Sequence, residues 1–139
     1  MLTQTRSVIF NISTVKESYL YGDCNIFAYA LSKIKPLHVA ALVEVVAIEG
    51  KEYRRLIHAF CTKDKSIEID TVVYDAMGAR TFGDIVKDYC CKIQPEYTVG
   101  ICEKTEDVLT FGYYSEGDLD VLISKATEYI QNQIEEYET

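Results

Sequence analysis

Two long runs of strand-forming residues with a turn between them constrain this chain most. Val39 to Ile48 is rich in Val, Ile and Ala, Gly50-Lys51 is a turn signal, and Tyr53 to Thr62 reads as the return strand. A hairpin is marginal alone in water and needs other elements on its faces. The flanking sequence supplies them. Upstream, Phe27, Ala30, Leu31 and Ile34 recur at helical spacing, with Asp23 as N-cap and Pro36 as the stop. Downstream, Ile67 to Tyr74 is again β-branched and is expected to pair as another strand.

Thr81 and Asp84 then have capping-box spacing ahead of a helix with Phe82, Ile85, Val86, Tyr89, Cys90 and Ile93 on one face, closed by Pro95. Tyr97 to Cys102 and Val108 to Tyr114 are expected to form a second hairpin around Lys104-Thr105-Glu106. A last helix runs from about Asp118 to the end, with Leu119, Leu122, Ile123, Ala126 and Ile130 as its apolar stripe. Ser7 to Val15 reads as a further short strand. The expected fold class is α+β: a helix on an antiparallel sheet, with two further helices. With no repeat or linker, residues 1–139 are expected to form one domain.

Charge narrows the partners. The net charge is −8, and Glu116 to Thr139 holds seven acidic residues against one basic, so −6 of it lies in the last helix. A nearly neutral body with an acidic tail helix has no electrostatic footprint for nucleic acid or anionic lipid, so neither is expected as a partner. The apolar run Val8, Ile9, Phe10, Ile12 is too short for a signal-peptide core or a membrane span. Five cysteines, with Cys90 and Cys91 adjacent, make a poor disulfide framework. Reduced thiols and a cytoplasmic location are expected.

One constellation carries chemistry. Cys24 opens a predicted helix directly after Gly22-Asp23. Unpaired N–H groups and the positive end of the helix dipole favour a thiolate there and can donate to an oxyanion, although the Asp23 charge opposes the thiolate. Such a sulfur needs a histidine. The chain has two, His38 at a strand start and His58 inside a strand between Ile57 and Ala59. A ring in an apolar strand requires a polar partner, and a carboxylate on the next strand would fix its tautomer. A tight hairpin centred on Asp64 puts Asp70 opposite His58, whereas Asp75 requires a wider connection turning near Ser66-Ile67. The competing chemistry is a metal site from His58 and Cys61 with Cys24 or Cys90, but the chain has no C-x-x-C pair. No glycine-rich phosphate loop or nucleophile-elbow serine occurs either, and no cofactor is expected.

Gly22-Asp23-Cys24-Asn25-Ile26-Phe27-Ala28, His58-Ala59-Phe60 and Tyr74-Asp75, in that order, resemble the core of the transglutaminase-like branch of papain-like cysteine enzymes. The likeness spans Tyr21 to about Gly78. It implies a papain-like/transglutaminase-like fold with Cys24 as nucleophile, His58 as general base and acid, and Asp75 as the orienting group. Two family features are missing: no glutamine lies between Thr5 and Gln94, and there is no tryptophan. The function expected from the likeness is thiol-dependent acyl chemistry on a protein or peptide amide, by a peptidase, amidase, deamidase or transglutaminase. The alternative is a non-catalytic adaptor or inhibitor on the same scaffold.

Overall fold

The computed structural model describes residues 15–89 and 96–137. Helix α1 (residues 15–21) leads through Gly22 and Asp23 into α2 (Cys24–Ile34). Strands β1 (His38–Ile48) and β2 (Lys51–Thr62) form the long hairpin, followed by β3 (Val72–Asp75) and β4 (Gly78–Thr81). Then come α3 (Phe82–Tyr89), β5 (Tyr97–Ile101), a 3₁₀ segment (Thr105–Phe111), α4 (Glu116–Asn132) and a second 3₁₀ turn (Ile134–Tyr137). The fold class is therefore α+β, with one antiparallel sheet in the order β4-β3-β2-β1-β5. Among the described residues no helix is long and apolar enough to cross a membrane.

The main hairpin turns at Glu49 and Gly50, both with positive φ (51° and 80°), the two-residue geometry that matches strand twist. The sheet is buried on both sides. Val39, Ala59, Cys61 and Tyr74 pack with α2 and α4, whereas Ala40, Leu42, Phe60 and Val73 pack with Phe82, Ile85 and Val86 of α3. That double cover explains why Val39 to Val43 is an unbroken apolar run. The C-terminal stripe behaves as expected: Ala126 and Ile130 are buried against the α2 side, and Tyr137 lies 5.9 Å from the Phe27 ring.

Several expectations need correction. The strand expected over Ser7 to Val15 lies outside the described residues, except that Val15 is helical. Ile67 to Thr71 is not strand, because Thr71 closes a turn with Glu68 through its N–H (3.1 Å) and its hydroxyl (2.8 Å). Only Val72–Asp75 remains as β3, and the chain doubles back from it as β4. Tyr97–Ile101 pairs with β1, not with Val108 to Tyr114. The latter segment begins inside a 3₁₀ turn because Asp107 accepts the Lys104 N–H (3.3 Å) and Val108 is drawn into the α2 core. The capping box of α3 is present, with Thr81 and Asp84 bonded reciprocally at 3.1 and 3.2 Å. Cys90, Cys91, Ile93 and Pro95 lie outside the described residues.

Candidate active site

The site forms where three chain segments end or change course. The first is the start of α2. Asp23 occupies the N-cap position, but its side chain makes no cap bond, and the first-turn N–H groups of Cys24 and Asn25 act on the Cys24 sulfur instead. The Cys24 sulfur also accepts the Ala59 N–H at 3.4 Å. That N–H is open because β3 accompanies β2 only as far as Cys61 opposite Tyr74. Sulfur thus sits one residue from His58.

The second segment is a bulge in β2. Leu42 pairs with His58 while Val43 pairs with Leu56, leaving Ile57 as an extra residue. Leu56 packs toward α2 and Ile57 toward α3. Regular alternation would return His58 to the Leu56 face; the bulge instead keeps it beside Phe60 and under Tyr89. The imidazole is 0% exposed and stacks on the Tyr89 ring at 4.1 Å and 16°. The Tyr89 hydroxyl, in turn, donates to the Leu20 carbonyl at 2.7 Å.

The third is the β3–β4 turn. Asp75 pairs with Gly78, whose φ of 88° suits glycine, and Ala76-Met77 form the turn. The Asp75 Oδ1 accepts the Met77 N–H (2.9 Å), fixing the carboxylate plane. Its Oδ2 then meets His58 Nε2 at 2.8 Å. The connection is wider than either register considered from sequence: Cys61 opposite Tyr74 puts Asp75 in line with Phe60, so it reaches His58 diagonally. Asp70 stands in the turn before β3 and makes no bond to the ring.

Arg80 completes the group. Its Nη2 and Nε donate to the same Asp75 Oδ2 at 2.6 and 3.1 Å, its Nη1 bonds Asp88, and its guanidinium lies 5.9 Å from the Tyr89 ring centre. Sequence reasoning missed Arg80, a lone cation between a glycine turn and a capping box that carries no local signal. Tyr89 was visible only as a member of an apolar stripe, although a tyrosine hydroxyl on such a face needs a partner.

Burial governs the protonation states. It pushes the Cys24 thiol up to about 11, outweighing the N–H groups of Ala59, Asn25 and Cys24 itself, and the Asp75 charge raises it further. The thiolate expected from the helix start is therefore disfavoured at rest, because Cys24 is only 4% exposed and its thiol has lost most of its hydration. Burial also pushes His58 below its ordinary value, against the pull of the Asp75 hydrogen bond and charge. For Asp75 burial raises the carboxyl, but hydrogen bonds and charge from His58 and Arg80 outweigh it and hold it low. The consequence for His58 is specific: Nε2 is bound to a carboxylate, and the buried Nδ1 makes no hydrogen bond of ordinary geometry among the described residues, although the Leu20 carbonyl lies close enough to favour the charged ring.

A groove of about 430 Å³ opens over Cys24, with Tyr21, Asn25, Arg54, Ile57 and Tyr113 among its walls. A cavity of about 490 Å³ lies between β5 and the first 3₁₀ segment, and none of Cys24, His58 or Asp75 lines it. His38 opens β1 opposite Thr62. The metal alternative loses Cys61, whose thiol donates to the Ala28 carbonyl (3.1 Å) in the α2 core. Among the described residues no group of three or more His, Cys, Asp or Glu is placed to hold a metal ion. Comparison with known proteins finds no match to a family model, a curated protein or a solved structure.

Proposed function

We propose that the chain is a thiol-dependent acyl-transfer enzyme acting on a protein or peptide amide, on a papain-like/transglutaminase-like core. One observation carries this reading: His58 has one nitrogen held by Asp75 and the other buried without a well-formed hydrogen bond among the described residues, one residue along the strand from the N–H that binds the Cys24 sulfur. A ring held by a carboxylate at Nε2 has its lone pair at Nδ1, the state that accepts a proton. The reaction requires the Cys24 S–H proton to pass to His58 Nδ1 as sulfur bonds the substrate carbonyl carbon, a transfer for which the two side chains must come into contact. The carbonyl π electrons move to oxygen, where the N–H groups at the start of α2 can receive the charge. Collapse of that intermediate breaks the C–N bond, and the His58 proton leaves with the amine, giving a thioester on Cys24. Water or a second amine then releases the acyl group. The groove over Cys24 is where the acyl donor enters.

The burial of Cys24 and the neutral resting thiol favour the alternative, a non-catalytic binding protein on the same scaffold. An activated phenyl ester, offered as acyl donor at neutral pH and followed by intact mass with site mapping, separates the two. The enzyme reading requires an acyl adduct on Cys24 that is lost in Cys24→Ala and in His58→Gln. Adducts on Cys61 or Cys102 instead, or ester turnover that survives Cys24→Ala, would falsify it.

A further inference from the structure

We propose that Arg80 is a positioning residue that keeps the His58 ring uncharged at rest, so that Cys24 meets it as a thiol and yields its proton only during attack. The part concerning Cys24 rests on the acyl-transfer reading; the part concerning His58 does not.

The case begins with one oxygen. Asp75 Oδ2 receives His58 Nε2 at 2.8 Å and Arg80 at 2.6 and 3.1 Å, while Oδ1 is taken by the Met77 N–H. The carboxylate is therefore already neutralised by a guanidinium that stays charged at any relevant pH. The groups facing His58 come from four elements. They are Asp75 on β3, Arg80 on β4 and Tyr89 with the outlying Asp88 on α3, joined by the Leu20 carbonyl, while Cys24 on α2 reaches the neighbouring Ala59 N–H. Arg80 neutralises much of the Asp75 charge, although it shares its guanidinium with Asp88, a carboxylate half exposed to solvent.

A charged imidazole in this frame would share the Asp75 charge with Arg80 at a site 0% exposed, so it would be less fully compensated than in a simple ion pair, which is costly. Without Arg80 the same carboxylate would form an ion pair with the imidazolium and favour it. The like charge of Arg80 on His58 acts in the same direction as burial, against the pull of Asp75 and the Leu20 carbonyl. Arg80 also lies 5.9 Å from the centre of the Tyr89 ring, which is stacked on His58, so its removal alters charge and contact together.

The test uses the full chain and its two histidines. NMR titration of the imidazoles, assigned with His38→Gln, is compared in wild type, Arg80→Gln and Arg80→Lys. Wild-type His58 should be neutral at pH 7, with a midpoint below that of a free histidine, and no thiolate ultraviolet absorbance should arise from Cys24. Arg80→Gln should move the His58 midpoint up by about one pH unit, the size expected for loss of one nearby charge. The acid limb of acyl transfer should move with it. Arg80→Lys keeps the charge and should restore the wild-type midpoint, a rescue that a purely structural role would not give. A wild-type imidazolium paired with a Cys24 thiolate at pH 7 overturns the proposal even if Arg80→Gln does not fold. A folded Arg80→Gln protein with an unmoved midpoint overturns it too. If the midpoint rises but no acyl donor labels Cys24, the role of Arg80 at His58 stands and the enzyme reading falls.

Discussion

From Lys51 to Arg55 every residue of β2 is exposed, and from His58 to Thr62 every residue is buried. Both halves carry a carboxylate bonded to a nitrogen base. In the outer half Arg55 donates to Glu44 at 2.6 and 3.0 Å, with the arginine 69% exposed. In the inner half His58 meets Asp75 at 2.8 Å with both side chains essentially removed from water. Similar distances therefore have different consequences. The outer pair trades water for a partner and back at little cost, whereas the inner pair has no water to return to, so each member fixes the state of the other. The Ile57 bulge separates the halves, and it also selects the face on which His58 lies.

The largest expected effect is in the inner half. Asp75→Asn keeps the shape of the turn but holds the wrong imidazole tautomer, so ester turnover should fall on the order of 10⁴-fold, while Asp70→Asn should leave it nearly unchanged. Equal losses from the two changes would break the contrast between a buried orienting carboxylate and an exposed one.

Stability should divide in the same way. Phe60 is fully buried against Phe82 at 5.9 Å, so Phe60→Ala should cost about 3–5 kcal/mol in urea unfolding. Tyr53 in the outer half is 51% exposed, and Tyr53→Ala should change stability by no more than about 0.5 kcal/mol.

The pH dependence sharpens the comparison further. His58 has a folded pKa below 6.5, so between that folded value and 6.5 the unfolded chain binds more protons. Stability should therefore fall as pH drops below about 6.5, and again below about 3.8, where the depressed Asp75 follows the same sign. Thermal melts of His58→Gln should lose the first of these two declines. A wild-type melting temperature that is flat between pH 7 and 5 would contradict a buried neutral imidazole.

The smallest effect belongs to the outer ion pair. Arg55→Ala should cost between zero and about 1 kcal/mol, and that little should fade at high salt. A loss comparable to Phe60→Ala would mean that the outer half of the hairpin is not the solvent-dominated region described.

The sequence by itself determined the elements whose signals are local. The β1–β2 hairpin follows from its β-branched runs around Gly50, α2 from the spacing of Phe27, Ala30, Leu31 and Ile34 before Pro36, and the start of α3 from Thr81 and Asp84. The choice of Asp75 over Asp70 as the partner of His58 comes from the family resemblance, and the structure joins these two side chains at 2.8 Å. What tertiary structure alone decided was everything that depends on which segment occupies a vacant edge or face. β5 pairs with β1 because that edge of the hairpin was free, and Val108 joins the α2 core instead of extending a strand. Arg80 reaches Asp75 only because β4 folds back along β3. The protonation of Cys24 was likewise beyond local reasoning: a helix start favours a thiolate in water, but desolvation by a packed sheet depends on the whole chain and outweighs a few N–H dipoles.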